Sequence, residues 1–240
     1  MISRRARRGC ARIFVLALAG IVALAVYHGV TWPDVEKLVG SNPRSTAFIE
    51  RYRDKLRDRG LPDAVDWTWV SYGQISPHLK RAVLVGEDIE FFSHRGFAPN
   101  EIRKALADAW ERRERPRGAS TITQQLAKNL WLSPSMNPLR KLREALLTRE
   151  LERHLGKKRI LELYLNVAEF GPGVYGAEAA ARHYFGKAAS QLSPAEAAEL
   201  AASLPRPSAW HPGSASRAYR RHVRSIQNRM ERAEFLWRLI

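Results

Sequence analysis

The 240-residue sequence predicts a mainly α-helical domain behind one N-terminal transmembrane helix. Three observations predict it. An almost wholly apolar run, Ile13 to Val26, stands near the start and continues uncharged to Val30 with His28 near its end, close to the lower limit of what spans a bilayer as a helix. Beyond it, apolar residues recur at helical spacing in several stretches, and strand signals are nearly absent. Helix-start chemistry recurs too, as Ser76-Pro77 and as the full capping box Ser193-Pro194-Ala195-Glu196.

Residues 1–12 form a basic tail with Arg4, Arg5, Arg7, Arg8 and Arg12 and no acid. Arginines before an apolar run keep the N-terminus cytoplasmic and send the rest of the chain across the membrane. The rival for 13–30 is a cleaved signal peptide, since Ala23-Leu24-Ala25 resembles a small-x-small cleavage site. Either way the body is exported. The whole chain carries +16, so an anionic partner is expected, and for an exported domain that points to the outer membrane face rather than to nucleic acid. One cysteine, Cys10, excludes an intramolecular disulfide and a cysteine-rich metal site.

Residues 31–66 are punctuated by Pro33, Pro43 and Pro62 and are expected to be a linker and entry segment, with a short charged helix over 46–59. Trp67, Trp69 and Tyr72 suit either a short strand or an aromatic clamp. The helix opened at Ser76 runs toward Gly86, which puts Glu87 at or just past its end. Val85 to Gly96, VGEDIEFFSHRG, then packs Glu87, Asp88 and Glu90 against Phe91, Phe92 and His94. Adjacent carboxylates beside apolar bulk raise at least one pKa, which is how a general base is made. A helix end with an acidic face and an aromatic core edge explains the same residues.

A helix is expected from Asn100 through Ile102, Ala105, Leu106, Ala109 and Trp110, followed by a charged loop over 112–117. Gly118 to Asn129, GASTITQQLAKN, has the pattern of glycine, cap and helix. Thr121, Gln125 and Lys128 fall at i, i+4 and i+7 with Gln124 beside them, a face of hydroxyl, carboxamides and one ammonium. That face suits a polar, anionic ligand such as a sugar diphosphate at a helix N-terminus, or else a buried polar network between helices. Arg140, Lys141 and Arg143 precede a helix expected from Glu144 to about His154. Glu144 is either their salt-bridge partner or a second catalytic carboxylate. Asn166 to Gly176 is expected to be a shaped turn, Ala177 to Tyr184 a close-packing helix, and the helix opened at Ser193 must stop near Leu204 because Pro205 comes next. Tyr219, Val223, Ile226, Met230 and Ala233 mark a last amphipathic helix, whose arginines lie on anionic lipid or are merely solvated.

These stretches together resemble the monofunctional peptidoglycan glycosyltransferases, glycosyltransferase family 51, also the first domain of bifunctional penicillin-binding proteins. The Glu-Asp-x-x-Phe-x-x-His-x-Gly motif stands as Glu87, Asp88, Phe91, His94 and Gly96. The second motif stands as Gly118 to Asn129, departing only at Ala119, where the family usually has glycine. Arg-Lys-x-x-Glu is Arg140, Lys141 and Glu144, and a fourth motif covers Ile160 to Asn166, continuing through Phe170-Gly171 and Tyr184-Phe185-Gly186-Lys187. No transpeptidase domain follows residue 240, so the monofunctional form is expected.

The resemblance implies a lysozyme-like catalytic domain over 67–212, with residues 213–240 as an appended amphipathic helix. It implies polymerisation of lipid II into β-1,4 glycan strands, with Glu87 as general base and Glu144 as a second essential carboxylate in the donor site. The substrate-binding residues it implies are Asp88, Phe91, His94, Lys104, Ser120, Thr121, Gln124, Gln125, Lys128, Asn129, Arg140 and Lys141. Lys128, with Lys104 or Arg103, would offset the diphosphate charge. No cofactor is required and no metal-ligand cluster is visible, although a divalent cation, Mg or Mn, could assist at the donor diphosphate. The expected partners are lipid II, the growing lipid-linked glycan, the membrane and other cell-wall synthesis proteins, and no nucleic acid. The expected place is the inner (cytoplasmic) membrane, single-pass, with the catalytic domain periplasmic. The nearest rival is a lysozyme-like muramidase or lytic transglycosylase, which needs no diphosphate pocket.

Overall fold

The computed structural model describes residues 29–99, 103, 120–135 and 137–240. The chain divides into two compact units, Met1–Asp34 and Val35–Ile240. Only residues 29–34 of the first are described, so the expected basic tail and nearly all of the expected membrane segment lie outside the described residues. Among the described residues no helix is long and apolar enough to cross a membrane.

The second unit is mainly helical. Its described α-helices are α1 (Ala47–Arg57), α2 (Pro77–Glu87), α3 (Ile122–Trp131), α4 (Pro138–His154), α5 (Lys157–Val167), α6 (Ala177–Phe185), α7 (Pro194–Ser203) and α8 (Arg217–Arg232). Between α5 and α6 a two-stranded antiparallel hairpin, β1 (Glu169–Gly171) with β2 (Val174–Tyr175), pairs Glu169 with Tyr175. Residues 35–66 and α8 belong to this same unit and pack into its core through Val35, Leu38, Ile49, Ile226 and Met230.

The helices start where the capping chemistry puts them. Ser76 accepts from the His78 N–H at 3.2 Å, with Pro77 at the first turn, and donates to the Leu192 carbonyl at 2.9 Å. One hydroxyl thereby starts α2 and ties it to the segment before α7. Ser193 and Glu196 form the reciprocal capping box at the start of α7. The helix expected from Glu144 starts six residues earlier, at Pro138. Asn137 caps it by accepting from the Leu139 N–H at 2.8 Å, so Arg140, Lys141 and Arg143 lie inside the helix rather than ahead of it. The Asn-Pro pair was the overlooked start signal.

Trp67, Trp69 and Tyr72 form no strand. Tyr72 opens a short 3-10 helix, Tyr72–Gln74, and the irregular segment before it is held by Asn166, whose side chain accepts from the Val70 N–H and donates to the Val70 carbonyl, both at 2.9 Å. Trp67 donates its indole N–H to the Asn166 carbonyl at 2.6 Å. The helix expected over 100–110 and the loop over 112–117 lie outside the described residues, except Arg103, which is exposed.

Two groups of helices pack within this unit. α2 lies against α7 and α8, burying Leu79, Ala82, Val83, Leu84 and Val85. α3 lies against α1, α4 and α5, burying Ile122, Leu126, Ala127 and Leu130. The C-terminal end of α2 and the N-terminal end of α3 meet, and the acidic segment joins them.

Candidate active site

The segment after α2 is fixed by Asp88, which leaves the helix with φ −163° and is only 6 % exposed. One carboxylate oxygen accepts from the Ile122 N–H at 3.0 Å, at the first turn of α3, where the helix dipole favours a negative charge. Both oxygens also lie within 3.0 Å of His94 Nε2. His94 Nδ1 accepts from the Gly96 N–H at 3.1 Å, so the proton sits on Nε2 and is donated to Asp88. Gly96 has φ +85°, and a Cβ there would stand 2.7 Å from Thr148 Cγ2, so only glycine fits. Its carbonyl accepts from the Thr121 hydroxyl at 2.7 Å. Thr121 in turn caps α3 in a reciprocal box with Gln124. Phe91 is fully buried beneath this loop, with Phe92 edge-on at 5.2 Å and the Lys157 ammonium 4.4 Å from its ring.

Glu87 is the last residue of α2 and is half-buried. Gln125 donates to it from Nε2 at 2.6 Å, and Tyr164, buried in α5, donates its hydroxyl to Gln125 Oε1 at 2.9 Å. The tyrosine therefore fixes the carboxamide with its NH₂ toward Glu87. Burial pushes the Glu87 carboxyl above its ordinary value of 4.5, and the Asp88 charge adds to the rise. The Gln125 hydrogen bond, Lys128 and Arg229 work against it. The result is a carboxylate more basic than a solvated glutamate.

Lys128, one turn beyond Gln125 on α3, is held below its ordinary 10.5 mainly by desolvation. Glu144 and Glu87 support its charge, while Arg140 and Lys141 oppose it. Glu144, 3 % exposed, accepts from Arg140 at 2.7 Å and from the Lys141 ammonium. It is the salt-bridge partner of Arg140 and Lys141, and it anchors a positive cluster on α4 beside Lys128.

Glu87, Gln125 and Lys128 open into one cavity of about 410 Å³, with Ser120, Gly86, Leu204, Pro205 and His222 completing its lining. Of the expected substrate contacts, Ser120, Gln125 and Lys128 line it together with Glu87. Asp88, Phe91, His94, Thr121, Gln124 and Asn129 are buried. The side chains of Asp88, His94 and Thr121 and the carboxamide oxygen of Gln124 are hydrogen-bonded within the protein, so these four residues hold the wall of the cleft together. Lys104 and Ala119 lie outside the described residues.

Sequence reasoning missed the α7–α8 side of the cavity. Leu204-Pro205 was legible only as a helix stop, and the last helix only as an amphipathic stripe. Yet His222, Ile226 and Arg229 fall at i, i+4 and i+7, a second polar-edged stripe that could have been found. Burial and Arg229 both lower the His222 pKa below 6.5.

A desolvated carboxylate held by a carboxamide, with an ammonium beside it and an ion-paired cationic cluster behind, is an arrangement suited to acid–base chemistry on a polar, anionic ligand. Comparison with known proteins narrows this. A family model described as Transglycosylase matches residues 56–231. Over 217 residues the chain is 44% identical to a biosynthetic peptidoglycan transglycosylase of Methylobacillus flagellatus, covering 90% of this chain and 95% of the relative. Relatives of the same name are 50% identical over 195 residues in an Azoarcus species, covering 80% of this chain and 83% of the relative. In Aromatoleum aromaticum the identity is 43% over 229 residues, covering 95% and 97%. The chain belongs to the transglycosylase family.

Proposed function

We propose that this chain is a peptidoglycan glycosyltransferase that polymerises lipid II into β-1,4 glycan strands and releases polyprenyl diphosphate. Its relatives' name supports the substrate class, and the placement of Glu87 in one cavity with Lys128 carries the mechanism. Glu87 takes the proton from the acceptor 4-hydroxyl as that oxygen attacks the donor anomeric carbon with inversion. The bond to the diphosphate breaks, its electron pair stays on the leaving oxygen, and the Lys128 cation offsets the charge that develops there. A general base contributes typically ~10²–10⁴-fold. Positioning and electrostatic stabilisation of the leaving group supply the rest.

Two features disfavour the glycan-cleaving alternative. Hydrolases commonly pair two carboxylates across the scissile bond, whereas among the described residues Glu87 is the one carboxylate lining the cavity. Glu144 is closed off by Arg140 and Lys141. Cations beside a base suit diphosphate departure better than sugar hydrolysis.

Lipid-linked substrates place the enzyme at a membrane. In this proposal residues 13–30 anchor the chain once across the inner membrane, with the catalytic unit outside the cytoplasm. Leu139, Leu142 and Leu146, at i, i+3 and i+7 on α4, are 52%, 58% and 45% exposed. This apolar stripe beside Arg140 and Lys141 suits contact with the bilayer surface that holds the substrate. Among the described residues there is no group of three ligating His, Cys, Asp or Glu side chains. The proposed mechanism has no step through a divalent cation; Mg or Mn, where one assists, would do so at the donor diphosphate.

Incubating the purified full chain with lipid II tests the proposal. Polymer formation is expected; cleavage of preformed glycan without polymerisation would overturn it.

A further inference from the structure

α8 brings a histidine to the wall of the cavity that holds Glu87, and no motif of the sequence singles it out. The His222 ring packs on Trp210, with centroids 5.6 Å apart. Its Nε2 is shielded from water and has no hydrogen-bond partner among the described residues. Buried polar atoms nearly always have one, and a buried nitrogen left without one costs stability. His222 lines the cavity, so a ligand group that enters it meets a ring whose Nε2 is unpartnered within the described residues.

The chemistry of the ring narrows the ligand group. Burial and the nearby Arg229 disfavour the imidazolium, so the ring is neutral near pH 7, with one donor and one acceptor. That pairing matches a hydroxyl, which also donates and accepts, better than a phosphate, which only accepts. The lining divides in the same way. Lys128 stands on α3 with the α4 cations beside it, whereas His222 shares its side with Leu204 and Pro205, apolar surface suited to the C–H face of a sugar ring.

We propose that His222 is a substrate-positioning residue: it hydrogen-bonds a hydroxyl of the acceptor sugar and holds that sugar toward Glu87. The α7–α8 side of the cavity is then the carbohydrate side, and the α3–α4 side receives the diphosphate. This assignment rests on the glycosyltransferase proposal above.

Steady-state polymerisation of lipid II by the full chain and its His222 variants tests it. His222→Phe keeps the ring volume and removes both nitrogens. It is expected to raise KM roughly tenfold, the size of one lost hydrogen bond, with kcat within about threefold of wild type and a melting temperature no lower than that of wild type, because the unpartnered buried nitrogen is removed. His222→Gln, which restores one donor and one acceptor, is expected to recover KM to within about threefold of wild type. His222→Ala gives the same comparison if the Phe variant does not fold. A KM within about twofold of wild type in the Phe or Ala variant overturns the assignment, as does a Gln variant no better than Phe. If the wild-type chain forms no polymer, the glycosyltransferase proposal itself fails. If it polymerises while the Phe variant matches its KM, only the role of His222 does.

Discussion

Gln125 donates its carboxamide N–H to Glu87 across 2.6 Å, and Tyr164 fixes which end of that carboxamide faces the carboxylate. The relationship joins three elements, α2, α3 and α5, through one carboxamide. It also counters the rise that burial imposes on the Glu87 pKa. Removing the donor in Gln125→Ala is therefore expected to lower kcat by about 10- to 100-fold, since a base loses both aim and charge stabilisation. The acidic limb of the pH–rate profile should move upward. Tyr164→Phe should act in the same direction but more weakly, because it frees the carboxamide without removing it. An acidic limb unmoved in Gln125→Ala would show that the hydrogen bond does not tune Glu87.

The pH–rate profile of the wild-type chain should be a bell. Glu87 must be ionised to accept a proton, so its limb lies above the ordinary 4.5. Lys128 must be charged to offset the diphosphate, so the alkaline limb lies below the ordinary 10.5. Lys128→Arg should carry the alkaline limb out of range and leave the acidic one in place.

Glu144 supports the Lys128 charge from α4. Glu144→Gln should lower the Lys128 pKa further and draw the alkaline limb downward, while freeing Arg140 and Lys141 from their buried partner. The pH dependence of kcat/KM in this variant checks it. A limb that stays put would detach Glu144 from Lys128.

Asp88 should prove structural. Asp88→Ala leaves the Ile122 N–H and the buried His94 Nε2–H without their acceptor. At ~1–3 kcal/mol per orphaned group the loss is several kcal/mol, and each kcal/mol lowers Tm by about 2–4 °C in a chain of this size. Asp88→Asn keeps one acceptor oxygen and should lose less. Thermal unfolding followed by circular dichroism reads both.

Glu87 should show the opposite sign. Its folded pKa is raised above 4.5, so the folded state holds the proton more tightly than the unfolded chain. The stability this gives at low pH is lost as pH rises from the unfolded value through the folded one. At neutral pH the buried charge is a cost, and Glu87→Gln should melt at a higher temperature than wild type, by about 2–4 °C per kcal/mol relieved. A lower Tm would mean that Gln125 and Lys128 already compensate the charge.

What was legible in the sequence was what short-range chemistry decides. Ser76-Pro77 and Ser193 to Glu196 start α2 and α7 where their capping patterns place them, and Glu87 ends α2 as its spacing requires. The face of α3 was legible as polar but not as divided. Thr121 and Gln124 turn inward to cap the helix, and only Gln125 and Lys128 reach the cavity. That division depends on where Gly96 and Asp88 approach α3, a long-range matter that helical periodicity does not contain. His222 is legible in the sequence only as one member of a polar-edged stripe with Ile226 and Arg229; tertiary packing against α2 is what turns that edge toward the cavity of Glu87.

The most direct test of the account is the rate at which Glu87→Gln polymerises lipid II, measured beside its lipid II affinity. Gln keeps the size and an acceptor for Gln125 but cannot take a proton at neutral pH. The rate should fall by about 10²–10⁴-fold while binding stays within a few-fold of wild type. A variant that polymerises at more than roughly a tenth of the wild-type rate would contradict the assignment of Glu87 as the general base.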